Sequence, residues 1–347
     1  MTVTEISRLA LYGYQIPLNP PLPVGRQRIT SRHGLLLRAI TDQGEAVVEL
    51  APLSGTDMDG EPIDGFSRES LQQLQDELTT LQPQLGSTAA LERAAGQTAL
   101  PSLAWGLGLL ALKLEGQLTS RQPRLAPVPL IYRLPNETAD ELVQRLATLP
   151  RDCRFAKLKI AQNDVEAELR LIYALLAARP DVRLRLDANG GFSLTQAVDF
   201  CACLPKGSID FIEDPCRESA DCEALHSALG LGYALDAPLN APDFELSPLP
   251  GLRALVLKPM LIGSPAKVQA LIAAAQQLGV RCIISSALES SLGISDLAAF
   301  AAQETPDEAP GLDTLAAFEA DLLVSSGKAL CLELGQLPLL ASWEAGC

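Results

Sequence analysis

Residues 155–159 read FAKLK, an apolar–basic alternation that stops on Lys159. Four later stretches share its plan, a brief apolar run closed by a charge. They are RLRLD, ending at Asp187; DFIED, carrying Glu213; YALD, ending at Asp236; and ALVLK, ending at Lys258. The intervals between these five charges are 28, 26, 23 and 22 residues. One strand, one helix and two loops take about that much chain, since a β/α barrel of ~250 residues uses roughly 31 per unit. Five consecutive strands would then each deliver one charge to the same end, where such barrels place their chemistry.

Outward from these stretches the pattern continues as strand then helix. Strands are expected near 128–133, 154–160, 183–187, 209–213, 232–235, 253–258 and 281–285, and helices near 137–148, 163–179, 193–204, 219–228, 265–278 and 290–303. Seven strands are clear, and the segment after Pro310, GLDT, offers a very short eighth. An open doubly wound sheet would carry a Gly-rich turn after its first strand, and none follows 128–133. The expected fold is therefore α/β: a modified TIM barrel, (β/α)7β, over 126–320, with an α+β capping domain over 1–125 and a C-terminal segment, 321–347, returning toward it. In the capping part, residues 4–16 read as a strand, and the Pro-rich, basic stretch 17–33 as a loop. GLLLRAIT and EAVVEL read as a hairpin, and FSRESLQQLQDELTTL as a helix with Ser67 among its capping residues. Further helices follow over 87–96 and from Pro101.

Composition limits the function. Hydrophobic residues make up 48% of the 347 and aromatics only 4%, so the core is aliphatic, as parallel strands under helices require. A net charge of −15 excludes a nucleic-acid partner, which needs a basic face. No apolar stretch approaches the ~18 residues of a membrane span, and the N-terminus lacks the plan of a signal peptide. The expected setting is the cytoplasm, as a monomer or small homo-oligomer. Eight scattered cysteines without a CxxC, and only two histidines, argue against zinc; the cysteines read as small buried hydrophobes.

Asp187, Glu213 and Asp236 on successive strand ends supply the oxygen ligands that Mg²⁺ prefers, with Mn²⁺ an alternative. Taken singly, each reads equally well as a cap of the next helix; three together, flanked by lysines, favour a metal site. Lys157 and Lys159 lie two apart and point to one side of their strand, so each is expected to lower the other's proton affinity. Lys258 would face Lys159 across the metal. A divalent cation between two lysines suits removal of a proton next to a carboxylate, because the cation offsets the charge that develops.

KLK at 157–159, RLDANGGF at 185–192, FIEDP at 211–215, LD at 235–236 and LKP at 257–259 resemble the enolase superfamily in its muconate-lactonizing subgroup. Within it, PSLAWGLGLLAL at 101–112, SSALESSLG at 285–293 and PGLDT at 310–314 resemble a dehydratase branch. The resemblance implies dehydration of 2-succinyl-6-hydroxy-2,4-cyclohexadiene-1-carboxylate to o-succinylbenzoate, in menaquinone or phylloquinone synthesis. It implies that Lys159 takes the proton and then assists departure of the hydroxyl, while Lys258 steadies the dianion. Asn189 would support a ligand or lysine, and Ala237 replaces a glutamate usual in the family. The succinyl carboxylate of this small-molecule substrate is expected near Ser285, Ser286 and Gly311, where Ser286 and Glu289 have capping-box spacing and a helix start would offer free N–H groups. A basic loop with Arg26, Arg28, Arg32 and His33 is the competing anchor. The rival activities are N-acylamino acid racemization and dipeptide epimerization with the same two lysines. The GLDT strand lacks the acidic pair that dipeptide epimerases use. A non-catalytic binding module is the reading from another class, disfavoured because buried charges without a role are costly.

Overall fold

The computed structural model describes residues 4–24, 27–63, 67–119, 122–132, 137–162 and 164–344. Two long antiparallel strands, β1 (Ile6–Val24) and β2 (Gln27–Thr41), open the chain, followed by β3 (Glu45–Leu50) and β4 (Gly55–Asp57), both of which pair with β2. The stretch expected as a Pro-rich loop is thus a paired arm. Its register slips between Pro17 and Leu22 and then resumes to Val24. Prolines 20 and 21 have no N–H to give the ladder, so the irregularity falls where pairing cannot be completed.

Three helices follow: α1 (Leu71–Leu81), α2 (Thr88–Gln97) and α3 (Pro101–Leu114). The cap of α1 is Ser70, which forms a capping box with Gln73. Ser67, expected among the capping residues, instead accepts a hydrogen bond from the Leu53 N–H at 2.6 Å. Helix α3 is buried along its whole length from Pro101 to Ala111. Its apolar residues run all the way round because it lies between the N-terminal sheet and the barrel. A Cβ on Gly106 would meet Leu50 of β3 at 1.9 Å, and one on Gly108 would meet Pro265 of a barrel helix at 2.5 Å.

The barrel alternates β5 (Leu130–Ile131), α4 (Ala139–Ala147), β6 (Phe155–Lys159), α5 (Val165–Ala178), β7 (Arg183–Asp187), α6 (Leu194–Ala202), β8 (Ile209–Glu213), α7 (Ser219–Leu229), β9 (Tyr233–Leu235) and β10 (Leu252–Leu257). It continues through α8 (Pro259–Ile262), α9 (Pro265–Gln277), β11 (Arg281–Ile284) and α10 (Ser291–Glu304). Strands β5 to β11 form one parallel sheet in chain order. Residues 310–311 close it. Gly311 N–H donates to Ile284 O at 2.9 Å and Gly311 O accepts from Ser286 N–H at 3.0 Å; on the other side Val128 N–H donates to Pro310 O at 2.8 Å. The short eighth strand expected at GLDT is therefore the seam.

After the barrel, β12 (Asp321–Leu322) pairs with β13 (Cys331–Leu332), and β14 (Leu339–Glu344) pairs antiparallel with β1. Among the described residues no helix is long and apolar enough to cross a membrane. The described cysteines are all unbridged thiols; Cys203 is exposed and Cys331 half-buried, against the expectation that all are buried.

Two residues before Asp187 on the same strand, Arg185 fills the barrel interior beneath the site. Its guanidinium lies 4.4 Å from the Phe155 ring centroid and 5.3 Å from that of Phe211. It donates to Asp210 at 3.0 Å and to Ala309 O at 2.9 Å, and Arg281 donates to the other Asp210 oxygen at 2.9 Å. Removing one partner of a buried ion pair leaves an uncompensated charge. Asp210→Ala should therefore cost about 3–5 kcal/mol in urea unfolding. Asp307→Ala, which breaks the exposed pair with Arg124, should cost ~1 kcal/mol or less. Equal losses for the two variants would contradict this account.

Candidate active site

The parallel register sets the site. Lys159 of β6 lies opposite Asp187 of β7, and Asp187 opposite Glu213 of β8. Glu213 in turn pairs with Ala234, so Asp236 stands two residues further along the next strand, as the stagger of a closed barrel requires. Lys258 directly follows β10. Strands β6 and β10 are four apart in an eight-membered ring, so Lys159 and Lys258 approach from opposite sides. Both line one cavity at the C-terminal ends of the strands, together with Lys157, Asp187, Asn189, Ser285, Ser286 and Gly311. Leu22, Pro23 and Val24 of the β1 arm, with Val128, Leu130 and Tyr132, form its apolar side.

The charges interlock. The Lys157 ammonium contacts both Glu213 oxygens at 2.7 Å and Asp187 Oδ2 at 2.9 Å. Lys159 Nζ donates to Asn189 Oδ1 at 2.7 Å and stands 3.5 Å from Asp187 Oδ2. Lys258 Nζ donates to Asp236 Oδ2. Burial favours the neutral form of Lys157, but Asp187, Glu213 and Asp236 outweigh it and hold this ammonium above its ordinary range. The expectation that the two β6 lysines discharge one another therefore fails for Lys157: the carboxylates lie closer to it than its neighbour's charge can offset. Burial likewise opposes ionisation of Asp187, but Lys157 and Lys159 hold its carboxyl well below the usual carboxylate range. Burial, reinforced by Asp187, pushes the Glu213 carboxyl upward, while Lys157 on both its oxygens opposes that rise.

Three buried carboxylates that repel one another are a donor set suited to a divalent cation. Asp236 Oδ1 is buried with no hydrogen-bond partner among the described residues, a lone pair left for a ligand. Among the described residues no three acidic, cysteine or histidine side chains close on a single point; Lys157 and Lys258 lie between the carboxylates.

Two expectations for the substrate end are corrected. Ser286 and Glu289 form no capping box. Helix α10 starts at Ser291, with Ser290 as its N-cap. Ser286 Oγ bonds Thr314 Oγ1 at 2.9 Å and accepts from Leu288 N–H, while Glu289 accepts from Ala287 N–H. The N–H groups of Ser290 and Gly293 are already taken by Glu49 of β3. Arg32 does not reach the cavity. Its guanidinium is fully buried and donates to the carbonyls of Leu288, His33, Pro52, Ser54 and Ala51. Arg28 donates to Pro21 O at the exposed edge, His33 Nε2 bonds Ser31 Oγ, and Arg26 lies outside the described residues.

A family profile described as enolase C-terminal domain-like matches residues 137–322, and one described as the MenC N-terminal domain matches 6–114. The o-succinylbenzoate synthase of Klebsiella pneumoniae (strain 342) is 35% identical over 319 residues, covering 90% of this chain and 92% of that protein. Its counterpart from Vibrio cholerae serotype O1 (strain M66-2) is 34% identical over 319 residues, covering 90% of each. The chain belongs to the o-succinylbenzoate synthase family. Enzymes of this family are carbon–oxygen lyases within the enolase superfamily. The fold agrees with solved structures. The o-succinylbenzoate synthase of Thermosynechococcus elongatus BP-1, complexed with magnesium in its active site, superposes with a TM-score of 0.69 at 23% identity, over 88% of this chain and 92% of that one. The L-Ala-D/L-Glu epimerase of Bacillus subtilis superposes at 0.73 with 19% identity, over 91% and 92%.

In this o-succinylbenzoate synthase family member, Asp214 buttresses the stretch that carries Asp236 and Ala237. Its two carboxylate oxygens accept the N–H groups of Asp236 (3.1 Å) and Ala237 (2.8 Å), fixing the backbone that carries the third carboxylate. Sequence reading missed this residue; its signal was a second acid directly after Glu213, ahead of Pro215. Asp313 and Thr314, quoted in GLDT but given no role, also line the cavity.

Strand eight comes this close only because residue 311 is glycine. A Cβ there would lie 2.6 Å from Ser285 Oγ. Gly311→Ala should cost ~1–3 kcal/mol by overpacking. In a double-mutant cycle, adding Ser285→Ala should recover part of that loss. Strictly additive losses in thermal unfolding would refute the contact.

Proposed function

We propose that this site dehydrates 2-succinyl-6-hydroxy-2,4-cyclohexadiene-1-carboxylate to o-succinylbenzoate, the reaction for which the family is named. The observation that carries the reading is the pair of lysines, Lys159 and Lys258, reaching one cavity from opposite sides of the barrel beside three buried carboxylates. In its neutral form, Lys159 removes the proton from the ring carbon that bears the carboxylate. The resulting ammonium returns that proton to the hydroxyl on the adjacent carbon, which leaves as water from the same face. The ring becomes aromatic and Lys159 is neutral again. Lys258 stays an ammonium on the other face, where its charge stabilises the enediolate.

Asp187, Glu213 and Asp236 would hold Mg²⁺, or Mn²⁺ in its place. A divalent ion held there would supply positive charge to offset the second negative charge that develops on the substrate carboxylate. Asn189 orients Lys159 through the 2.7 Å hydrogen bond, and Lys157 neutralises carboxylate charge beneath it. The hydroxyls of Ser285 and Ser286, next to Gly311, are the donors offered to the succinyl carboxylate, while Leu22, Val24 and Leu130 cover the ring. Residues 126–320 make up the catalytic barrel, and 1–125 with 321–347 the capping unit.

Dehydration on one face needs one acid–base group, so the two lysines differ in role. Lys159→Arg keeps the charge but replaces the base by a group that does not deprotonate; it should lose about 10²–10⁴-fold in kcat, the usual contribution of a general base, and still bind product. Lys258→Arg should retain more activity, because charge is what it supplies. The ring absorbance change on adding substrate is the readout, with a chelator abolishing it and Mg²⁺ restoring it. A wild-type rate in Lys159→Arg, or full activity in chelator, would overturn the assignment.

A racemase or dipeptide epimerase would need both lysines as bases. Exchange of an α-proton in deuterated water, lost equally in both Arg variants, would mark that chemistry instead.

A further inference from the structure

The segment between β11 and α10 forms one wall of the cavity through Ser285, Ser286, Ala287 and Leu288. It is not a relaxed loop. Leu288 has φ +65°, a left-handed backbone that non-glycine residues rarely adopt, so its surroundings must hold it. The holding groups come from the N-terminal sheet. Arg32 Nε, on β2, donates to Leu288 O at 2.8 Å, while the other guanidinium N–H groups are fixed by the carbonyls of His33, Ala51, Pro52 and Ser54. Glu49, on β3, accepts from Ser290 N–H, from Ser290 Oγ at 2.7 Å and from Gly293 N–H at 3.0 Å, and also takes the Tyr14 hydroxyl proton donor. A carboxylate from another part of the chain thus caps the first turn of α10, where negative charge is favoured. Arg32 and Glu49 are 0% and 1% exposed, and neither lines the cavity.

We propose that Arg32 and Glu49 are positioning residues that clamp the C-terminal end of the 285–290 wall, at Leu288 and Ser290, and so set substrate affinity from within the N-terminal sheet. The inference rests on the functional reading above in taking this wall as the seat of the succinyl carboxylate. It places the specificity of the barrel site partly in residues that never meet the substrate. Chemistry at Lys159 and Lys258 lies on other strands and should be spared.

The test uses the full chain with its metal. Glu49→Gln places an amide NH₂ among the four donors that converge on this carboxylate, and Arg32→Lys loses the fork that spans the carbonyls. Each should raise KM about tenfold to a hundredfold, the scale of a lost charge-assisted hydrogen bond, with kcat changed by less than about threefold. Hydrogen–deuterium exchange of the peptide covering 285–294 should speed up in both. Ser290→Ala, which removes only the hydroxyl bond to Glu49, should show the same signature in smaller measure and serves if the first two variants do not fold. A fall in kcat with KM unchanged, or unaltered exchange across 285–294, would overturn the proposal. The exchange readout needs no turnover: faster exchange in a protein without dehydratase activity would mean that the clamp stands and the assigned reaction fails.

Discussion

The structure depends on one constraint: parallel strands closed into a ring deliver their C-terminal residues to one rim. Once β6 to β10 are in register, Lys159, Asp187, Glu213, Asp236 and Lys258 have no other place to go. Their mutual proximity is electrostatically costly in a buried setting, and the barrel contains the cost by pairing. Lys157 lies on Glu213 and Asp187, and Lys258 lies on Asp236. One layer lower, Arg185, Asp210, Arg281 and Glu308 repeat the device without catalytic groups, stacked on Phe155 and Phe211. Two charged layers, each neutralised within itself, fill an interior that is apolar in most barrels.

Much of this was legible in the chain because it is local. An alternating run closed by a charge marks a strand end, and the spacing marks the unit; FAKLK and RLRLD needed nothing else. Even the eighth strand, two residues at the seam, was foreshadowed by GLDT. What escaped was whatever depends on partners far away in sequence. Prolines 17, 20, 21 and 23 read as a loop, yet β2 pairs with that stretch around a bulge. Ser286 and Glu289 have a cap's spacing, but the cap of α10 comes from Glu49, more than 240 residues earlier. Arg32 carries a charge that suggests a ligand contact, and only its burial among carbonyls reveals a structural role. The charge state of Lys157 is set by residues 30 and 56 positions away, whereas sequence showed only its neighbour Lys159.

The site also divides its work by chain segment. Charges come from the barrel rim, and apolar cover comes largely from Leu22 to Val24 on the capping arm and from strand β5. The arm's side chains and the charged side chains therefore sit on different parts of the chain while lining one cavity.

The pairing of β14 with β1 has a consequence for how the molecule is made. Arg8 lies opposite Glu344 and Leu9 opposite Trp343. The first strand of the capping sheet leaves the ribosome early, while its outer partner emerges only after every barrel strand has been synthesised. Until then β1 has an open hydrogen-bonding edge, a surface that nascent chains must keep from pairing wrongly. The prolines farther along β1 and the charge on Arg8 lie on the strand that has to wait, and the sheet is completed only by the last described residues of the chain.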